Sequence, residues 1–251
     1  MQRRRSFWGK HPSFKDYIRI QADERMIDAL IQWIDKWGQN AGGQELYGDR
    51  QHWCFFWMTS PKAARLLCGR IGLSRDAAGR TAPVLCTVSA ALPRSARRSW
   101  ELLPLHCLGA WQAMTDLMDK GFASFDEFKK AFHRISPPDF GGAPPWTEKS
   151  GMAAIETAVQ NRLTTDKALF IHKKMLSFTL READGQGGGP PGGESDAVFL
   201  WMKAIRERIP VMPGSAFLRE ADGQRTLYLF YRPLGPEDFL EAAFGKRNGA
   251  G

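Results

Sequence analysis

Five histidines, His11, His52, His106, His133 and His172, are the chain's candidate general bases and metal ligands. None has a second histidine four residues away, the helical spacing that aims two imidazoles at one zinc ion. His52 and Cys54 lie two residues apart, which is too little for a metal site by itself. Each histidine is therefore expected to be an ordinary hydrogen-bonded side chain. A triad built from distant residues is set by geometry, so the sequence leaves that route open. Cys54, Cys68, Cys86 and Cys107 contain no C-x-x-C pair, and each stands in an apolar run. They read as reduced core thiols behaving as small hydrophobes. Gly187 to Gly192 formally fits G-x-G-x-x-G, but two prolines and no following helix deny it the amide cradle a dinucleotide needs. Gly72-Leu73-Ser74-Arg75-Asp76 begins like a nucleophile elbow and then has Asp where the second Gly is required. No enzyme activity, cofactor or metal is expected.

Charge offers a second kind of chemistry. The 251 residues carry a net +8. Residues 1–100 hold 17 Lys/Arg against 8 Asp/Glu, whereas residues 101–251 hold 18 against 19. A basic first half suits an acidic protein, a nucleic acid or an anionic membrane face, or is an ordinary solvated surface. No basic-aromatic nucleic-acid module is visible, so nucleic acid is not the expected partner. Arg4-Arg5-Ser6-Phe7-Trp8 has the start of a twin-arginine export signal, but polar residues 11–16 replace the apolar stretch of about 7–15 residues that must follow. No run approaches the roughly 18 apolar residues of a membrane span. A cytoplasmic protein is expected.

The elements that must position these residues follow from periodicity. Residues 23–37 place Met26, Ile27, Leu30, Ile31, Trp33, Ile34 and Trp37 on one broad helical face, with Gly38 as the stop. Trp53 to Met58 is a buried strand, and Ser60-Pro61 opens a short helix ended by Gly69. Residues 69–92 read as a hairpin turning at 76–80, its second strand covered on both faces. Helices are expected over 100–118, from the capping box Ser124-Phe125-Asp126-Glu127 to Ile135, and over 150–163. Residues 136–146 form a Pro/Gly loop. Strands are expected at 168–172, 176–181, 197–203, 215–219 and 226–232, and a last helix at 236–244. Residues 185–193 are a low-complexity loop. LREADGQ occurs twice, at 180–186 and 218–224, each time setting Asp-Gly at a hairpin turn. The sum is an α+β fold, an antiparallel sheet flanked by helices.

The segment Phe7-Trp8-Gly9-Lys10-His11-Pro12-Ser13-Phe14-Lys15-Asp16-Tyr17-Ile18 combines an aromatic pair, a Gly-Lys turn and a Pro-Ser step. It resembles the opening G-K-x-P-S-x-G-D-[FY]-[VI] element of the TagF (ImpM-like) family of type VI secretion accessory proteins, with Lys15 in place of the family's Gly. Gly69 to Pro83 is similar to that family's hairpin, with Ser74, Asp76, Gly79, Arg80 and Pro83 in place and Leu73 and Ala82 departing. Trp33, Trp37 and Trp53 to Phe56 match in order. Phe199-Leu200-Trp201 resembles a Trp-bearing strand, and Pro233 to Phe239 the closing motif.

The resemblance implies a longin- or profilin-like core over residues 1–135, the 136–146 loop, and a second α/β portion over 147–251 packed on the core as one unit. It implies a bacterial post-translational negative regulator that sequesters a forkhead-associated scaffold protein. Partner contact is assigned to the basic half, through Lys10, Asp16, Arg70, Arg75 and Arg80. Gly9, Pro12, Ser13, Ser74, Asp76, Gly79, Pro83 and Trp201 are the structural motif. Arg80 either pairs with Asp76 or Asp16 to fix the turn or meets the partner; Lys10, Arg70 and Arg75 are left for the basic face. The alternative is a nucleic-acid or anionic-membrane binder using that half.

Overall fold

Alternation along the central strands divides the molecule into two cores. In β3 (His52–Trp57), Phe56 faces one core, while Trp53, Phe55 and Trp57 face the other. β4 (Arg65–Arg75) repeats the division with Leu66 and Cys68 against Leu67 and Ile71, the period of two that a pleated strand imposes. A computed structural model describes residues 4–20, 25–40, 52–58, 65–142, 152–165, 167–180, 194–221, 224–235 and 238. Its eight strands form one antiparallel sheet in the order β2-β1-β5-β4-β3-β7-β8-β6, with β1 Arg4–Gly9, β2 Ile18–Ile20, β5 Thr81–Ala91, β6 Met175–Leu180, β7 Ser215–Ala221 and β8 Gln224–Phe230. The fold is α+β, as expected. One sheet joins strands from both halves of the chain, since β3 pairs with β7 through Phe55 and Phe217.

One face is covered by α1 (Arg25–Asn40), whose Ile27, Leu30, Trp33 and Ile34 are buried. The other carries α3 (Leu103–Asp119), α4 (Phe125–Arg134), α5 (Met152–Thr165) and α7 (Glu194–Arg208) in one continuous core. β5 is buried on both faces, with Val84, Cys86 and Val88 on one and Leu85 on the other. The Ser124 cap forms: Glu127 N–H donates to Ser124 Oγ at 3.2 Å, which satisfies an N–H of the first turn. The Glu127 carboxylate reaches back to Ala123 N–H at 3.0 Å, one residue before the N–H that a full capping box uses.

Several expectations need correction. Residues 168–172 lie in a helix, α6 (Lys167–Lys173), which ends at Lys174 with φ 50. Residues 197–203 belong to α7, so Trp201 sits on a helix and packs on Phe178 at 5.6 Å. Every residue from Val198 to Met202 is buried, because α7 is enclosed by α5, α3 and β6. A short apolar run cannot tell an enclosed helix from an enclosed strand. Gly69 ends no helix; it is mid-strand in β4, where a Cβ would stand 2.3 Å from the Phe55 ring. α1 runs past Gly38 to Asn40. β1, β2 and the short α2 (Arg94–Arg98) had no counterpart in the sequence reading. Residues 65–69 of the helix expected after Ser60-Pro61 are strand in β4, and its start lies outside the described residues, as do 143–146, the 185–193 loop, most of the first LREADGQ and nearly all of the closing helix. The second LREADGQ spans the β7–β8 pair.

Candidate functional site

Two segments 66 residues apart meet at the end of the β4–β5 hairpin. Lys10 Nζ donates to Asp76 Oδ2 at 2.7 Å, and both side chains are buried. The same carboxylate takes Arg80 Nε at 2.8 Å and the backbone N–H groups of Ala78 and Arg80, each at 2.9 Å. Arg80 Nη2 goes on to the Lys15 carbonyl at 2.7 Å, and Ala77 N–H donates to the Phe14 carbonyl at 3.1 Å. The Lys10 ammonium, then Arg80 and the turn amides, hold the Asp76 carboxyl well below the usual range against the opposing effect of burial.

Gly9 makes this convergence possible. With φ +126, it passes so close to β5 that a Cβ would lie 2.4 Å from the Pro83 carbonyl oxygen. That carbonyl faces β1, whose pairing with β5 ends at Gly9–Val84, so the missing Pro83 N–H removes no ladder bond. Gly79 supplies φ +80 in the turn.

His11 ties the same segment to the helical layer. Ser13 N–H donates to its Nδ1 at 3.2 Å, which leaves Nε2–H to donate to the Leu117 carbonyl at 2.9 Å. Phe14, Phe122 and Phe128 pack around the ring, and Phe122 N–H donates to Ser13 Oγ at 2.8 Å. His11 is thus hydrogen-bonded as expected, and burial pushes its pKa down, opposed by the Leu117 carbonyl and by Asp119. A pH prediction follows from the signs. The unfolded chain takes up a proton at His11 as pH falls through about 6.5, while the folded chain resists it. Stability should be constant above about pH 7 and decline below 6.5, with a second loss below about pH 4 as Asp76 protonates in the unfolded state. Thermal melts from about pH 3 to about pH 8 check this; a midpoint that does not fall between about pH 6.5 and 5, or falls equally in His11→Asn, contradicts the assignment.

The structure therefore brings Lys10, Asp76 and Arg80 together. Lys10 is not on the basic face, because its charge is satisfied internally on Asp76. Arg80 pairs with Asp76, one of the two partners considered, and is 60% exposed. Asp16 and Arg75 are exposed, Ser13 is the acceptor described above, and Pro12 and Ser74 line a cleft. A second internal lock joins the closing motif: Arg232 donates bidentately to Asp238 at 2.5 Å for both bonds, and Gly235 N–H donates to Asp238 at 2.8 Å.

Arg70 is different. It is half-buried on β4, and its Nη1 donates to Cys54 Sγ at 3.6 Å. In register, Cys54 and Cys86 stand opposite it on the neighbouring strands. All four cysteines are free thiols, and Cys68, Cys86 and Cys107 are buried, as expected. Arg70 walls two clefts at once. The larger, of about 140 Å³, includes Pro12, Gly72, Ser74, Arg75 and Asp119; the smaller, of about 60 Å³, includes Leu108, Trp111 and Thr115. On α3, positions 104, 108, 111, 112, 115, 118 and 119 line them, a single stripe at helical spacing. The sequence reading placed this helix but missed its groove; the signal was that stripe facing a strand interrupted by arginine.

Among the described residues no group of three or more His, Cys, Asp and Glu is placed to hold a metal ion, and no helix is long and apolar enough to cross a membrane. No protein-family model matches the chain, and no curated protein matches it. Among solved structures, the crystal structure of PA0076 from Pseudomonas aeruginosa PAO1 is similar at 19% identity, covering 54% of this chain and 64% of that one, with a TM-score of 0.41. The likeness is distant, and the chain spans less than two-thirds of that protein's length.

Proposed function

We propose that this chain is a divergent TagF-like accessory protein of a type VI secretion system, a cytoplasmic non-enzymatic regulator with a longin-like core that sequesters a forkhead-associated scaffold protein. The observation that carries the reading is the Lys10–Asp76 ion pair. It joins the two segments in which the TagF-like pattern is densest, so the motif residues make one coherent internal lock. Most of them hold the fold together, which leaves partner recognition to side chains beside the lock, Arg70 and Arg75 foremost. Regulation by sequestration acts on existing protein. Overproducing the chain in a bacterium that secretes actively should lower secretion into the medium while the cellular amounts of the secretion components stay constant. Unchanged secretion, or an equal fall in the amounts of those components, would sink the reading. In the competing reading, a nucleic-acid or anionic-membrane binder, affinity declines steeply with salt.

A further inference from the structure

We infer that Arg70 is the anchor of a docking groove for an acidic segment of a protein partner, whose carboxylate inserts between α3 and β4. The inference rests on the binding role proposed above and names the surface. A half-buried guanidinium ordinarily has a carboxylate to balance it, since a partly desolvated charge is costly alone. Among the described residues no carboxylate pairs with Arg70; its flanking positions on both neighbouring strands are thiols, and its bond goes to Cys54 Sγ, a weak acceptor. The fork of N–H groups is thus unfilled at the point where the two clefts meet. Gly72, two residues along the same face of β4, keeps the floor of the larger cleft open, where a Cβ would press on His52 at 3.1 Å.

The groove's charge selects the occupant. Arg70, Arg75 and Arg225 attract an anion, while Asp119 lines the larger cleft and Glu220, 4.0 Å from Arg225, the smaller one. These carboxylates repel a dianionic phosphate or a polyanionic backbone more than a single carboxylate, which Arg holds bidentately. Beside Arg70 the smaller cleft also has an apolar part, Val198, Leu218, Trp111 and Leu108, the last 40% exposed. An acidic residue flanked by an apolar one satisfies both parts. A nucleic acid or lipid headgroup does not.

The test has two arms. A fluorescein-labelled ten-residue peptide of alternating Glu and Leu is titrated with the full chain, alongside a single-stranded oligonucleotide and phosphatidylglycerol vesicles. The peptide should bind, and Arg70→Ala should weaken it at least about tenfold, with Arg70→Lys intermediate because it keeps charge and loses the fork. Leu108→Glu, at an exposed helix position, leaves Arg70 intact and should weaken binding by repulsion; thermal melts confirm that each variant is folded. Absent peptide binding, binding indifferent to Arg70, or an Arg70-dependent response to oligonucleotide or vesicles alone overturns the inference. In the second arm the forkhead-associated scaffold replaces the peptide. Equal scaffold binding by wild type and Arg70→Ala removes the groove and leaves the scaffold reading standing. Peptide capture with no scaffold capture does the reverse.

Discussion

Gly9→Ala should cost at least about 3 kcal/mol of stability. Two penalties coincide at this residue. Its φ of +126 lies where side chains are strained. The added Cβ would also stand 2.4 Å from the Pro83 carbonyl oxygen and 2.7 Å from Val84 Cα. Both are backbone atoms of a strand paired on its other side with β4, so no rotamer change relieves the contact. β1 must lift from β5, and Lys10, the next residue, leaves Asp76 as it does. Gly79→Ala is the internal control: it has a similar backbone sign at φ +80, but no atom lies within 4 Å of its Cβ. It should cost about 1 kcal/mol, from backbone strain alone. Urea melts of the two variants check the pair. A Gly9→Ala loss no larger than that of Gly79→Ala would show that the close approach to β5 is unimportant.

Asp76→Asn should lower the melting midpoint by roughly 10 °C, and Lys10→Met by clearly less. The inequality comes from the number of partners each side has. Asp76 is the ion-pair partner of the buried Lys10, so neutralising it strands an ammonium away from water. Removing Lys10 leaves the carboxylate with Arg80 and two backbone N–H groups. Asp76→Asn should also reduce the stability loss below about pH 4, since one ion-paired carboxylate no longer titrates. Equal losses in the two variants, or an Asp76→Asn midpoint within about 2 °C of wild type, would contradict the assignment of Asp76 as the centre of the lock.

These residues also show how much the sequence revealed. The β4–β5 hairpin was legible because its signals are local: Asp76 and Gly79 are turn residues, and the strands on either side are apolar. The Asp76–Arg80 pair was legible for the same reason, lying four residues apart. Lys10 was not, because nothing in a linear pattern says that β1 pairs with β5 and brings position 10 to position 76. β1 itself, RRSFWG, has no clean alternation, and its strand character comes from two paired neighbours. α7 was read as a strand because an enclosed apolar segment loses the polar face that marks a helix, and α6 because its apolar run is too short to show a helical period. For the groove, the sequence offered Arg70 only as one of the residues left for the basic face. Its position beneath α3 is a property of tertiary packing, fixed by contacts such as Trp111 Nε1–H donating to the Phe55 carbonyl at 3.3 Å.

The two locks and the groove divide the candidate residues by role. Gly9, Lys10, Ser13, Asp76, Gly79 and Arg80 hold β1, the hairpin and the helical layer in register. Arg70 and the α3 stripe sit beside that frame, with a cation whose natural counter-ion the chain does not provide among the described residues. A rigid frame next to an unbalanced charge is suited to capturing a partner, because little ordering remains to be done on binding.

Titration calorimetry of the purified chain with the forkhead-associated scaffold of the same bacterium, at about 50 mM salt, tests the central claim most directly. Saturable binding with a Kd of about 10 μM or tighter is the predicted result. Absence of any saturating heat with both proteins near roughly 100 μM would contradict it.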